Sequence, residues 1–185
     1  MISAYMIQPA GAMRAHLQMV PATGGVYAML LDHPEALAPA LERANLTLDA
    51  LRLGKRDILY LGATEDSLRG RLKSHLSSDT CRSTFRMNLG ALLAEELHLV
   101  AEPRPRQRYF GFDAESESRL TEWIETHISV AVRTSPYAMV EEKTLIGMKD
   151  PLLNINHRRF RPSASAVLVL RRRMRGLPLD QKGLH

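Results

Sequence analysis

At 185 residues, 45% of them hydrophobic and 24% charged, the chain has the size and composition of one globular domain with a substantial core. One cysteine, Cys81, excludes an internal disulfide framework. No apolar run approaches the roughly 20 residues that span a bilayer, and no secretory pattern opens the chain, so a cytoplasmic location is expected.

Residues 1–22 are weakly patterned, with room for a short strand or helix. Gly24 and Gly25 introduce an apolar run through Leu31 that reads as a buried strand. Pro34, Leu37, Leu41, Leu48 and Leu51 give residues 34–53 a helical spacing, interrupted at Pro39 and Asn45. A turn over 54–57 leads into Ile58-Leu59-Tyr60-Leu61-Gly62, a second buried strand ended by glycine. Thr64, Asp66 or Ser67 can cap the helix that follows, whose buried stripe is Leu68, Leu72 and Leu76. Arg71 and His75, four apart, share a neighbouring face of that helix. With the strand-end tyrosine they could converge on one phosphate; the plain alternative is an amphipathic surface helix with solvated charges.

A polar loop over 77–80 precedes a second amphipathic helix marked by Phe85, Leu89, Leu92, Leu93 and Leu97, in which Gly90 costs about 1 kcal/mol. Pro103 and Pro105 break the chain, and residues 108–112 are expected as a third strand. Ser116 or Ser118 starts a helix carrying Leu120, Trp123, Ile124 and His127; the histidine reads as packed at the core edge. Residues 128–132 suit a further short strand.

The helix over 137–149 holds an anomaly. Its apolar positions are Ala138, Met139, Leu145 and Ile146, and counting about 100° per residue puts Glu142 in the middle of that stripe, with Glu141 turned toward solvent. A carboxylate on a buried face is costly unless it is paired, hydrogen-bonded or bound to a cation. An arginine partner at the helix end and a metal or catalytic role are both open. Pro151 ends the helix, and residues 152–156 leave it extended.

The net charge of +5 is uneven: residues 158–185 hold eight Lys/Arg against Asp180 alone, leaving residues 1–157 at −2. A basic tail of this kind suits a polyanionic partner or simply a solvated end. Residues 163–175 read as a helix, its arginines favourably placed at the C-terminal end.

These pieces, in this order, resemble the GIY-YIG nuclease superfamily. Gly25-Val26-Tyr27 is similar to the first motif and Tyr60-Leu61-Gly62 to the second. Arg71 matches the arginine of the helix after the second motif, Glu142 the metal-binding glutamate, and Asn154, twelve residues on, the asparagine that closes the core. His75 falls where relatives carry a tyrosine or histidine. Two features depart from the pattern: the insertion between the tyrosine motifs, and Ala63 and Thr64 where many members have a basic residue.

The resemblance implies an α+β fold with a small three-stranded antiparallel-type sheet flanked by helices. The core would span 24–157 within one domain of residues 1–157, with a helical insertion over 34–53 and the basic tail over 158–185. It also implies metal-dependent endonucleolytic hydrolysis of a nucleic acid, with DNA expected. One Mg²⁺ or Mn²⁺ would sit on Glu142, Arg71 would bind the phosphate, and Tyr27 or Tyr60 would orient or deprotonate the water. His75 would belong to the site, and Asn154 would fix the backbone or Glu142. The phosphate contact of the missing basic residue would be either absent or supplied by Arg69, and Arg158, Arg159 and Arg161 would reach the nucleic-acid backbone. The alternatives are an inactive binding module of the same fold and an interaction protein using the inserted helices.

Overall fold

The computed structural model describes residues 5–48, 52–103, 109–155 and 161–176. The chain runs β1 (Met6–Pro9), α1 (Ala10–Ala15), β2 (Gly25–Leu31), α2 (Ala38–Arg43), β3 (Arg52–Leu53), β4 (Arg56–Thr64), α3 (Leu68–His75) and α4 (Thr84–Leu92). There follow β5 (Ala101–Pro103), β6 (Phe110–Phe112), α5 (Ala114–His127), β7 (Ile128–Thr134), α6 (Ala138–Lys149) and α7 (Pro162–Met174).

The α+β class holds, but the main sheet has five strands, not three, in the order β1-β7-β2-β4-β3 with every pairing antiparallel. The expected third strand is also corrected. Phe110–Phe112 pairs locally with Ala101–Pro103 in a separate two-stranded sheet, and the neighbour of β2 is Ile128–Thr134. The insertion between the two tyrosine strands does not separate them: β2 and β4 pair directly. Its helical part is short, Ala38–Arg43, and its far end returns as β3, joined to β4 by a tight turn with Gly54 at positive φ.

All seven residues of β2 are buried because the sheet is covered on both faces, which explains an unbroken apolar run in place of an alternating one. Tyr27, Met29 and Leu31 face the larger core, built with Leu68, Leu72, Phe85 and Leu120. Ala28 and Leu30 face the smaller one, with Ile58, Leu61 and Ile146. Between Met29 and Leu30 the register on β4 slips by one residue, leaving Leu59 as a bulge. Below the bulge Ile58 joins Leu61 on the α6 side, while above it Tyr60 and Gly62 share the face of Tyr27.

The starts of α3, α4 and α5 are capped by side chains: Ser67 accepts from Gly70 N at 3.1 Å, Ser83 from Arg86 N at 3.0 Å, and Asp113 from Ser116 N at 2.7 Å. The last of these moves the start of α5 ahead of the expected Ser116. Arg86 is fully buried and pairs with Glu117 at 2.7 Å, tying α4 to α5. Helix α7 lies against α4, with Ala164 and Val167 buried.

Candidate active site

Four elements, β2, β4, α3 and α6, carry the candidate site residues. Tyr27 stands on β2 directly opposite Gly62 of β4, and Tyr60 is the next residue along β4 on the same face. Gly62 has no side chain, so the Tyr27 ring lies across it; a Cβ there would land on the phenol itself. Gly25, at the start of β2, is held by a close approach of the Arg133 carbonyl and the Leu68 side chain. The glycines of both motifs are therefore packing requirements for the tyrosine beside them. The two rings sit 6.4 Å apart.

Helix α3 supplies the next pair. One turn apart, Arg71 and His75 reach the same atom: Arg71 Nε donates to the Tyr27 hydroxyl at 3.3 Å, and His75 Nε2 lies 2.8 Å from it. A guanidinium can only donate, so the Tyr27 oxygen accepts from Arg71, while the direction of its bond to His75 follows the imidazole tautomer. With its proton on Nδ1, which faces the Ser83 hydroxyl at 2.7 Å, the imidazole accepts the Tyr27 O–H at Nε2; with the proton on Nε2 it donates to the Tyr27 oxygen instead. Burial, reinforced by the Arg71 charge, lowers the His75 pKa to about 3, so the ring is neutral. The result is an ordered chain from Arg71 through Tyr27 and His75 to Ser83. Phe85 closes it from behind, 5.9 Å from the Tyr60 ring and 6.2 Å from His75.

Burial pushes both phenols well above their ordinary pKa; Arg71 pulls each of them down, and Glu142 pushes each of them up. The Arg71 pKa rises because of the two phenols and Glu142. Glu142 of α6 is half-buried, and its carboxylate thus shares one electrostatic neighbourhood with Tyr27, Tyr60 and Arg71. Its neighbour Glu141 does not face solvent as expected: it accepts from Arg133 Nη2 at 2.6 Å and Ser135 Oγ at 2.8 Å, pinning α6 to β7. Met139, expected on the buried stripe, is instead 46% exposed.

Asn154 is bonded twice to one residue of β4. Its Nδ2 donates to Leu61 O and its Oδ1 accepts from Leu61 N, both at 2.8 Å. Leu153 N donates to the carbonyl of the bulged Leu59 at 2.9 Å. The segment after α6 is thereby clipped to the strand bearing Tyr60, and α6, which carries Glu142, is fixed at its end. Arg69 points elsewhere, donating to the carbonyls of Val20 and Gln18 at 3.0 and 2.9 Å. Arg161 is exposed at the start of α7, while Arg158 and Arg159 lie outside the described residues.

The family model of the GIY-YIG catalytic domain matches residues 25–174. The chain belongs to the GIY-YIG family. The match begins at the first-motif glycine and runs through α7, so it takes in every residue of the cluster around Tyr27. Searches of the curated proteins and of the solved structures gave no match. GIY-YIG membership brings a nuclease-type function, and nucleases of this family typically use a divalent metal.

The donor set of this GIY-YIG site fits such an ion in one manner only. Among the described residues no three His, Cys, Asp or Glu side chains converge, so a closed protein cage is not on offer. One carboxylate, Glu142, suits Mg²⁺ or Mn²⁺, which keep several waters and take few protein ligands. Ser83 and Phe85 were not legible as site residues. The only sequence signal for Ser83 is its place as a helix cap eight residues after His75.

Proposed function

We propose that the protein is a metal-dependent endonuclease acting on DNA, working through Tyr27, Tyr60, Arg71, His75 and Glu142. The observation that carries this reading is the Tyr27 hydroxyl held between Arg71 Nε and His75 Nε2. With the ring proton of neutral His75 on Nδ1, a phenol held by a fixed donor on one side meets an acceptor on the other and can pass a proton in one direction. In the reaction, water attacks phosphorus, its proton goes to the Tyr27 oxygen, and the Tyr27 proton moves to His75 Nε2. The P–O bond opposite the water breaks, and the leaving oxygen takes a proton from solvent. Protonated His75 is costly in its buried place, so it holds the proton only in passing.

Arg71 is exposed as a residue although its Nε is turned inward. Its terminal nitrogens remain for the non-bridging oxygens of the scissile phosphate, a planar fork that lysine reproduces poorly. Tyr60 lies against Tyr27 and orients the water. A divalent ion on Glu142 supplies Lewis-acid stabilisation of the charge on the leaving oxygen. Asn154 acts through the backbone, holding β4 and the end of α6 in place, and Arg161 lies on the exposed basic end of the chain where a nucleic-acid backbone would pass.

A second reading, nucleic-acid binding without cleavage, is favoured by one observation: burial raises both phenols, which opposes a phenolate at neutral pH. Incubating the purified protein with duplex, branched and single-stranded DNA, with and without Mg²⁺ and beside Glu142→Ala, decides between them. The endonuclease reading expects cleavage that needs both the ion and Glu142. Salt-sensitive binding with no cleavage under Mg²⁺ or Mn²⁺ would establish the second.

A further inference from the structure

A cavity of about 310 Å³ that shares no residue with the tyrosine cluster opens beside β1, the edge strand of the main sheet. Its walls are Met6, Gln8, Ala12, Met13, His16 and Met19. No acid, lysine or arginine lines it. The polar or soft atoms it offers are three thioether sulfurs, one imidazole and one amide. Met13 is buried at 2% exposure and Met6 is half-buried, whereas His16 is exposed and Met19 stands 71% exposed.

Local geometry explains why these side chains share one cavity. Met13, His16 and Met19 are three residues apart, running from α1 into a 3₁₀ turn (Leu17–Met19), where residues at that spacing stack on one side. Met6 comes to them from β1, which leads directly into α1. A flexible thioether is a good filler of irregular core space, which accounts for Met13. It does not account for Met19, left in water beside an imidazole. Among the described residues, no side chain is hydrogen-bonded to the His16 ring. Thioethers are soft ligands that favour Cu(I), and imidazole suits copper as well, whereas Mg²⁺, Ca²⁺ and Mn²⁺ want carboxylates, carbonyls and water. Methionine's three rotatable bonds allow the sulfurs to turn onto one ion.

We propose that Met6, Met13, His16 and Met19 form a binding site for a soft monovalent cation, Cu(I), at the edge of the sheet. The site is distinct from the Glu142 carboxylate and does not rest on the endonuclease reading. Met13 is its buried anchor, and His16 and Met19 close over the ion from the exposed side. Because its ligands come from both β1 and the segment after it, a bound ion ties the edge strand to α1 and stabilises the folded chain by mass action.

The test uses the untagged full chain carrying Cys81→Ser, because a free thiol would itself take a soft ion; wild type with its thiol alkylated replaces that variant should it fail to fold. Ag(I), a redox-inert stand-in for Cu(I), is titrated by calorimetry and followed through the methionine methyl signals in NMR spectra. Cu(I) affinity is read anaerobically by competition with bicinchoninate. One ion per chain is expected, with the methyl signals of Met6, Met13 and Met19 moving and those of the other methionines still. Met19→Leu and His16→Ala, both at exposed positions, should each weaken binding at least tenfold with the Tm of the ion-free protein unchanged. Met148→Leu, an exposed methionine of α6, should leave it as it was. Excess Mg²⁺ should not displace the ion. No binding, binding that Met19→Leu and Met148→Leu weaken equally or not at all, or methyl shifts spread over the other methionines would overturn the proposal.

Discussion

The Tyr27 hydroxyl is hydrogen-bonded to His75 Nε2 at 2.8 Å, and the other nitrogen of that ring to the Ser83 hydroxyl at 2.7 Å. Tyr27 is thus the phenol bonded to both Arg71 and the imidazole, and under the proposed mechanism it is the one that takes the proton from water. Tyr27→Phe removes the hydroxyl while keeping the ring that fills the space over Gly62. We expect it to lower the single-turnover cleavage rate by about 10²-fold or more, the usual range for losing general acid–base help, with an unchanged fold by circular dichroism. Tyr60→Phe should cost markedly less; equal losses would argue against a directed relay through Tyr27.

His75 also makes the fold sensitive to acid. Its pKa in the folded protein is about 3, below the ordinary 6.5, so the unfolded chain takes up a proton first as pH falls. The stability linked to neutral His75 is complete above about pH 6.5 and is lost progressively toward pH 3, by at most about 1.4 kcal/mol per pH unit. Urea unfolding at pH 7.5 and 5.5 should show this loss in wild type and a flatter dependence in His75→Gln. An unchanged pH slope in the variant would place the acid sensitivity elsewhere. The same neutrality predicts a kcat/KM profile with no inflection near pH 6.5.

Asn154 is expected to matter for stability. Asn154→Ala leaves a buried backbone N–H and C=O of Leu61 without their partners, at a cost of roughly 2 kcal/mol or more. Thermal unfolding reads this as a lowered Tm, and residual activity below the new Tm should fall far less than for Tyr27→Phe. Loss of all cleavage with an unchanged Tm would instead assign Asn154 a direct part in the chemistry.

Gly62→Ala tests the packing logic of the second motif. The added methyl meets the Tyr27 phenol, so the ring must shift away from Arg71 and His75. Overpacking of this kind costs about 1–3 kcal/mol, and the cleavage rate should drop more steeply than stability does. Activity near wild type would mean that Tyr27 tolerates displacement and is not held to a fixed geometry.

Much of the cluster was legible in the chain because its members sit at points where local pattern and chemistry disagree. Tyr27 and Tyr60 flank glycines in apolar strands, and Glu142 interrupts an apolar stripe. Arg71 and His75 share a helix face beside a leucine stripe. What escaped was set by partners distant in sequence. Residues 128–134 follow α5 without a turn signal, so their place beside β2 could not be read locally, whereas Phe110-Gly111-Phe112 has strand-forming residues but pairs with its own hairpin partner. Arg69 has the charge expected of a substrate contact and yet ties down the loop before β2.

The account turns on Tyr27 and Arg71 acting as one unit on one phosphodiester. Single-turnover cleavage of DNA with Mg²⁺ by Tyr27→Phe, Arg71→Ala and the double variant measures this directly. Residues that serve the same step are strongly non-additive, so the double variant should be no slower than the worse single one by more than about threefold. Losses that multiply, or single variants that cleave like wild type, would contradict a shared site.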